Sequence, residues 1–134
     1  MNREILFRGK RVDNGEWVEG YYVDENCMNL PFDDPDTGTR YFSFVEVDDN
    51  TIGQYTGLKA ENGVKIFEGD ICVVTLFKFD GSNIQCTLTV NYIYGAYILS
   101  GDGYIIPMCD INDTESDIKI IGNIHDNPEL GGER

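Results

Sequence analysis

Residues 71–94 decide the fold: Ile71-Cys72-Val73-Val74-Thr75-Leu76-Phe77-Lys78-Phe79, then Asp80-Gly81-Ser82-Asn83, then Ile84-Gln85-Cys86-Thr87-Leu88-Thr89-Val90-Asn91-Tyr92-Ile93-Tyr94. The first run is apolar on both sides for most of its length, as in an interior strand. Four turn formers follow, and then Ile84, Cys86, Leu88, Val90, Tyr92 and Tyr94 alternate with Gln85, Thr87, Thr89 and Asn91. Alternation that strict means one buried face and one wet face. Tyr94-Gly95-Ala96 bends the chain toward a strand at Tyr97-Ile98-Leu99, and Gly101-Asp102-Gly103 toward another at Tyr104-Ile105-Ile106. A meander of short strands at this spacing predicts a small barrel or sandwich.

The rest of the chain reads the same way. Two alanines stand against fourteen Ile, nine Val and eight Thr, a β inventory. Upstream, Glu4–Arg8, Glu16–Val23 and Arg40–Val47 read as strands, with Asp13-Asn14-Gly15 turning between the first two. Residues 24–39, with Pro31, Pro35, Gly38 and several Asp, read as an irregular loop. Glu61-Asn62-Gly63 signals a hairpin between Gly57-Leu58-Lys59 and Val64-Lys65-Ile66-Phe67, because Asn-Gly accepts the positive φ of a type I′ turn. Residues 107–117 form an acidic loop or at best a helical turn, and Ile118–Ile124 is the closing strand. Asn127-Pro128-Glu129 has the cap, proline and acid that start a helix, which Gly131-Gly132 ends at once. The expectation is an all-β chain in two parts. Residues 1–54 form an N-terminal sheet, and residues 55–134 form an SH3-like or barrel-like meander with a short C-terminal helical turn.

Length and charge bound the function. A chain of 134 residues builds one domain or two small subdomains with a real core, and its 41% hydrophobic content excludes disorder as the main state. The net charge is −14, from 24 acids against 10 bases, which disfavours DNA binding through a generally basic surface. Residues 1–11 are the exception: Arg3, Arg8, Lys10 and Arg11 against Glu4 give +3, leaving −17 for the remainder. Fourteen of the acids are Asp, a loop former, so most of the negative charge reads as solvated loop. The sharper alternative is an acidic surface that imitates DNA and occupies some protein's DNA groove.

Cys27, Cys72, Cys86 and Cys109 contain no C-x-x-C knuckle, so neither a zinc site nor a redox motif is expected. The opening MNREILFRGK lacks the apolar core of a signal peptide, and no apolar run approaches a membrane span. The cytoplasm and reduced thiols are the expectation.

Catalytic chemistry finds little purchase. His125 is the single histidine and none of the serines sits in a G-x-S-x-G elbow. There is no P-loop, and Gly101-x-Gly103 lacks a dinucleotide fingerprint. Asp110-x-Asn112-x-Thr114 has Glu115 where a calcium loop needs glycine, and Asp34-x-Asp36-x-Gly38 lacks later ligands. No cofactor, metal or catalytic residue is therefore assigned, although carboxylate pairs will occur by chance among so many acids. Binding has more support: Arg8, Lys10, Arg11 and Trp17 fall on one predicted hairpin near Tyr21 and Tyr22. Bases plus aromatics on a β face suit single-stranded nucleic acid or a peptide. The plainer reading puts Trp17 in the core and pairs the arginines with Glu16 and Glu19 across the strands.

Three ordered blocks resemble the YopX family of phage and prophage proteins. They are Ile5-Leu6-Phe7-Arg8-Gly9-Lys10-Arg11 through Asp13-Asn14-Gly15-Glu16-Trp17-Val18-Glu19-Gly20-Tyr21; Thr51-Ile52-Gly53-Gln54-Tyr55-Thr56-Gly57-Leu58 with Asn62-Gly63 and Ile66-Phe67-Glu68-Gly69-Asp70-Ile71; and Ile121-Gly122-Asn123-Ile124-His125-Asp126-Asn127-Pro128-Glu129-Leu130. Residues 22–50 and 72–117 carry none of the signature. The resemblance implies a mostly β protein of temperate-phage origin that associates with itself, and it supplies no activity. Turn and packing roles account for most of the signature, leaving Arg8, Trp17 and Gln54-Tyr55-Thr56 as site candidates beside Lys10 and Arg11. The expected function is a non-enzymatic accessory protein that binds a host or phage protein. Nucleic-acid binding through the basic hairpin is the runner-up.

Overall fold

The computed structural model describes residues 5–131. Arg3, Glu4 and Gly132, which entered the basic cluster, the first strand and the final turn above, lie outside the described residues. With 62% of the chain in strands and 10% helical, the protein is all-β. The backbone divides into two compact units, Met1–Tyr55 and Thr56–Arg134.

The first unit holds β1 (Phe7–Arg11), β2 (Trp17–Asp24), β3 (Cys27–Asp33) and most of β4 (Arg40–Lys59). Each neighbour pairs antiparallel, and β1 also pairs with β4 through Phe7↔Gln54 and Arg8↔Gly53, so the four strands close into a ring. Its interior is built from Met28 and Val47, both fully buried, packed against Gly9, where a Cβ would meet Met28 Sδ at 3.1 Å and Val47 Cβ at 3.3 Å. The β1–β4 ladder is broken by a bulge between Arg8 and Lys10. Thr51 repairs it: its hydroxyl accepts from Lys10 N–H (2.9 Å) and donates to the Asp48 carbonyl (2.6 Å). Such a repair is required because an orphaned backbone donor in a half-buried site is costly.

Residues 24–39 are not an irregular loop, because β3 occupies 27–33 and pairs with β4 from Cys27↔Glu46 to Asp33↔Arg40. Pro31 argued against a strand, and hydrogen-bond parity explains why it is tolerated. Asp34 N–H donates to the Thr39 carbonyl at 2.9 Å, which makes 34/39, 32/41 and 30/43 the bonded pairs. Pro31↔Phe42 is then a non-bonded pair, and its missing donor points away from β4, beyond the stretch that β2 pairs. The tip is closed by Gly38 N–H on the Asp34 carbonyl (2.8 Å) and Asp36 N–H on Asp34 Oδ1 (2.9 Å).

The second unit holds β5 (Lys65–Phe67), β6 (Asp70–Phe77), β7 (Asn83–Ile93), β8 (Ala96–Gly101), β9 (Tyr104–Pro107), α1 (Thr114–Asp117), β10 (Ile118–Asn123) and α2 (Pro128–Gly131). The sheet order is β10-β6-β7-β8-β9, all antiparallel, with β10 returning beside β6. Ile66, Cys72, Val74, Leu88, Val90, Leu99 and Ile118 are the buried centre. The β7 alternation puts Cys86, Leu88 and Val90 into this core as read from sequence. Tyr92 and Tyr94 depart from it and are exposed, since β7 runs past the core and Tyr94 enters a turn at φ 54°. Asn62 and Gly63 take φ of 65° and 74°, as the Asn-Gly turn requires.

Candidate functional site

The sequence candidates divide by strand parity. Directly opposed residues of an antiparallel pair share a face. Lys10↔Trp17 and Arg8↔Glu19 therefore place Arg8, Lys10, Trp17 and Glu19 together on the outer face of the ring, with Asp48 opposite Lys10 on its other side. The Arg8 guanidinium carbon lies 4.7 Å from the centre of the Trp17 ring and Lys10 Nζ lies 5.7 Å from it. Two cations against one half-buried indole form a cation–π cluster, so part of the π surface that a nucleobase would use is already covered. Arg11 is turned to a different partner. Its Nε and Nη2 donate to the two carboxylate oxygens of Asp13 at 3.0 and 2.8 Å, and this pairing holds the Asp13 carboxyl below the usual carboxylate range.

Gln54, which stands on the other face of β4, is not part of that cluster. Gln54 is opposite Phe7, on the inner face, and Tyr55 is buried. Thr56 is a structural stitch: its hydroxyl donates to the Ile66 carbonyl (2.9 Å) and accepts from Leu58 N–H (3.2 Å). Several other signature residues are architectural as well. Asp70, buried, accepts Phe67 N–H at 2.7 Å. Asn123 Oδ1 accepts from both His125 and Asp126 N–H at 2.9 Å, and Asn127 Oδ1 lies 2.6 Å from where a Cβ on residue 122 would sit, which requires Gly122. His125 is thus half-buried in a turn whose logic is backbone satisfaction.

The display surface missed in the sequence lies on β2, β3 and β4. Tyr21↔Asn29↔Phe44 forms one row across the three strands and Pro31↔Phe42 the next, all on the outer face that continues from Trp17 and Glu19. Tyr21, Phe42 and Phe44 are 45%, 55% and 66% exposed. Beyond the core, Phe32↔Tyr41 is exposed on the other face of the same arm. Phe42 and Phe44 alternate in the sequence, but without a partner strand at 27–33 no local pattern shows that they share a surface with Tyr21.

A hollow of about 310 Å³ in the second unit is lined by Glu61, Asn62, Val64, Lys119 and Ile120, none of them a sequence candidate. Among the described residues no group of three or more His, Cys, Asp or Glu is placed to share a metal ion, and no helix is long and apolar enough to cross a membrane.

No curated protein matches the chain significantly. It is similar to the crystal structure of protein EF1440 from Enterococcus faecalis, at 27% identity and a TM-score of 0.57, over 96% of this chain and 99% of that one. The family model described as YopX protein matches residues 6–130, which takes in the three sequence blocks except Ile5 together with the stretches between them, and the chain belongs to the YopX family.

Proposed function

We propose that this YopX-family chain is a non-enzymatic accessory protein of phage origin, working in the bacterial cytoplasm by docking on a host or phage protein. One observation carries the reading: Tyr21, Phe42 and Phe44 stand exposed together on the outer face of a well-paired sheet. Contiguous exposed aromatics are uncommon on monomers, and Tyr and Phe are enriched at the buried centres of protein interfaces. Folding alone does not call for them, since the ring has its own interior in Met28 and Val47. The Arg8, Lys10 and Trp17 cluster supports a nucleic-acid reading less well, because Glu19 and Asp48 flank it in register.

The test is a pull-down from host lysate with tagged chain and with the Phe42→Ser/Phe44→Ser variant, each with and without nuclease. The expected result is a protein retained in stoichiometric amount after nuclease and lost from the variant. Recovery of nucleic acid, weakened steeply by salt and by Arg8→Ala, would transfer the function to the basic hairpin. A partner that the variant retains equally would remove the aromatic face from the account.

A further inference from the structure

We propose that the occupant of the aromatic arm is a cationic protein segment, with apolar side chains at its centre and Lys or Arg at its rim. This rests on the protein-binding reading above and names the partner class. Residues 21–46 contain six acids, Asp24, Glu25, Asp33, Asp34, Asp36 and Glu46, and one base, Arg40, a net of −5. Arg40 offers no counterweight: its Nε and Nη2 bond the two oxygens of Asp33 at 2.7 and 3.0 Å. The uncompensated acids sit around the aromatic rows. Asp24 ends β2 and Glu25 opens the turn to β3, Asp34 and Asp36 occupy the tip, and Glu46 the base opposite Cys27.

An apolar centre with a charged rim of one sign selects a partner by charge complementarity, and the rim sets encounter rate and specificity while the aromatics supply affinity. A second copy would bring −5 against −5, and a nucleic acid would bring more negative charge still. A cationic partner relieves the repulsion as it covers the rings.

The experiment is a calorimetric titration of the full chain with three peptides: alternating Lys and Leu, alternating Glu and Leu, and alternating Lys and Ser. Two variants are run beside it, Phe42→Ser/Phe44→Ser and Asp24→Asn/Glu25→Gln/Asp34→Asn/Asp36→Asn, with circular dichroism to show that both are folded. The Lys–Leu peptide is expected to bind at least about tenfold more tightly than either other peptide, a gap of about 1.4 kcal/mol, and each variant should lose about that factor. Lys–Leu binding unchanged in both variants would overturn the proposal, reducing it to general attraction by an acidic chain. Equal binding of Glu–Leu, lost only in the phenylalanine variant, would overturn the cationic class while leaving protein binding intact. A dimer seen by ultracentrifugation and abolished by that variant would make the occupant a second copy and overturn it too.

Discussion

Gly20 shows how tightly the ring is drawn. A Cβ there would collide with the Asn29 carbonyl oxygen and meet Leu30 Cδ2 at 2.8 Å, so β2 and β3 approach closely enough that only a hydrogen fits. Gly20→Ala is expected to cost about 1–3 kcal/mol by forcing backbone apart, whereas Glu19→Ala beside it, exposed, should stay within about 0.5 kcal/mol. Urea unfolding of the two variants checks this, and equal midpoints would show that the strands yield without penalty. At this scale much was legible: Asn62-Gly63 announced its positive φ, and Arg8, Lys10 and Trp17 were expected on one hairpin and meet there. Gln54 was not separable from them by sequence. Which face it takes is set by pairing with Phe7, forty-seven positions away, and a local pattern holds no record of that register.

Among the elements, β7 is the strand whose sequence and role agree best along its middle. Leu88 is fully buried at the centre of the second unit, and Leu88→Ala should cost about 2–5 kcal/mol through lost burial and the cavity left behind. Tyr94→Ser, at the exposed end, should change stability by no more than about 0.5 kcal/mol. Thermal melts of both would overturn the placement of the core if their order were reversed. The arm is the opposite case. Residues 40–47 read as a strand, but β3 was hidden by Pro31 and by the acids around it, since local propensity registers a missing donor without knowing which way that donor would point. The candidate surface is therefore only half visible in the sequence: Tyr21 stands near Trp17 on the predicted hairpin, while Phe42 and Phe44 need the β3 pairing to become its companions.

For the whole molecule, charge outweighs any single contact. A net of −14 on 134 residues makes the folded chain repel itself. Added salt screens that repulsion and also weakens exposed ion pairs such as Arg11–Asp13 and Arg40–Asp33. Exposed pairs contribute little, so screening of the net charge wins. The melting temperature should rise between about 20 mM and about 500 mM NaCl, over which the Debye length shrinks from tens of ångströms to a few. A fall would mean that the ion pairs outweigh the surplus acids. A concentrated solution of so aromatic a chain would otherwise be at risk of growing fibres, because a cross-β stack spreads by recruiting copies along a row of edge donors. Pro31 deletes one donor from the open side of β3. Strand-by-strand templating is interrupted at that point, so the rings remain adhesive to a partner that reads side chains and poor seeds for copies that would read backbone.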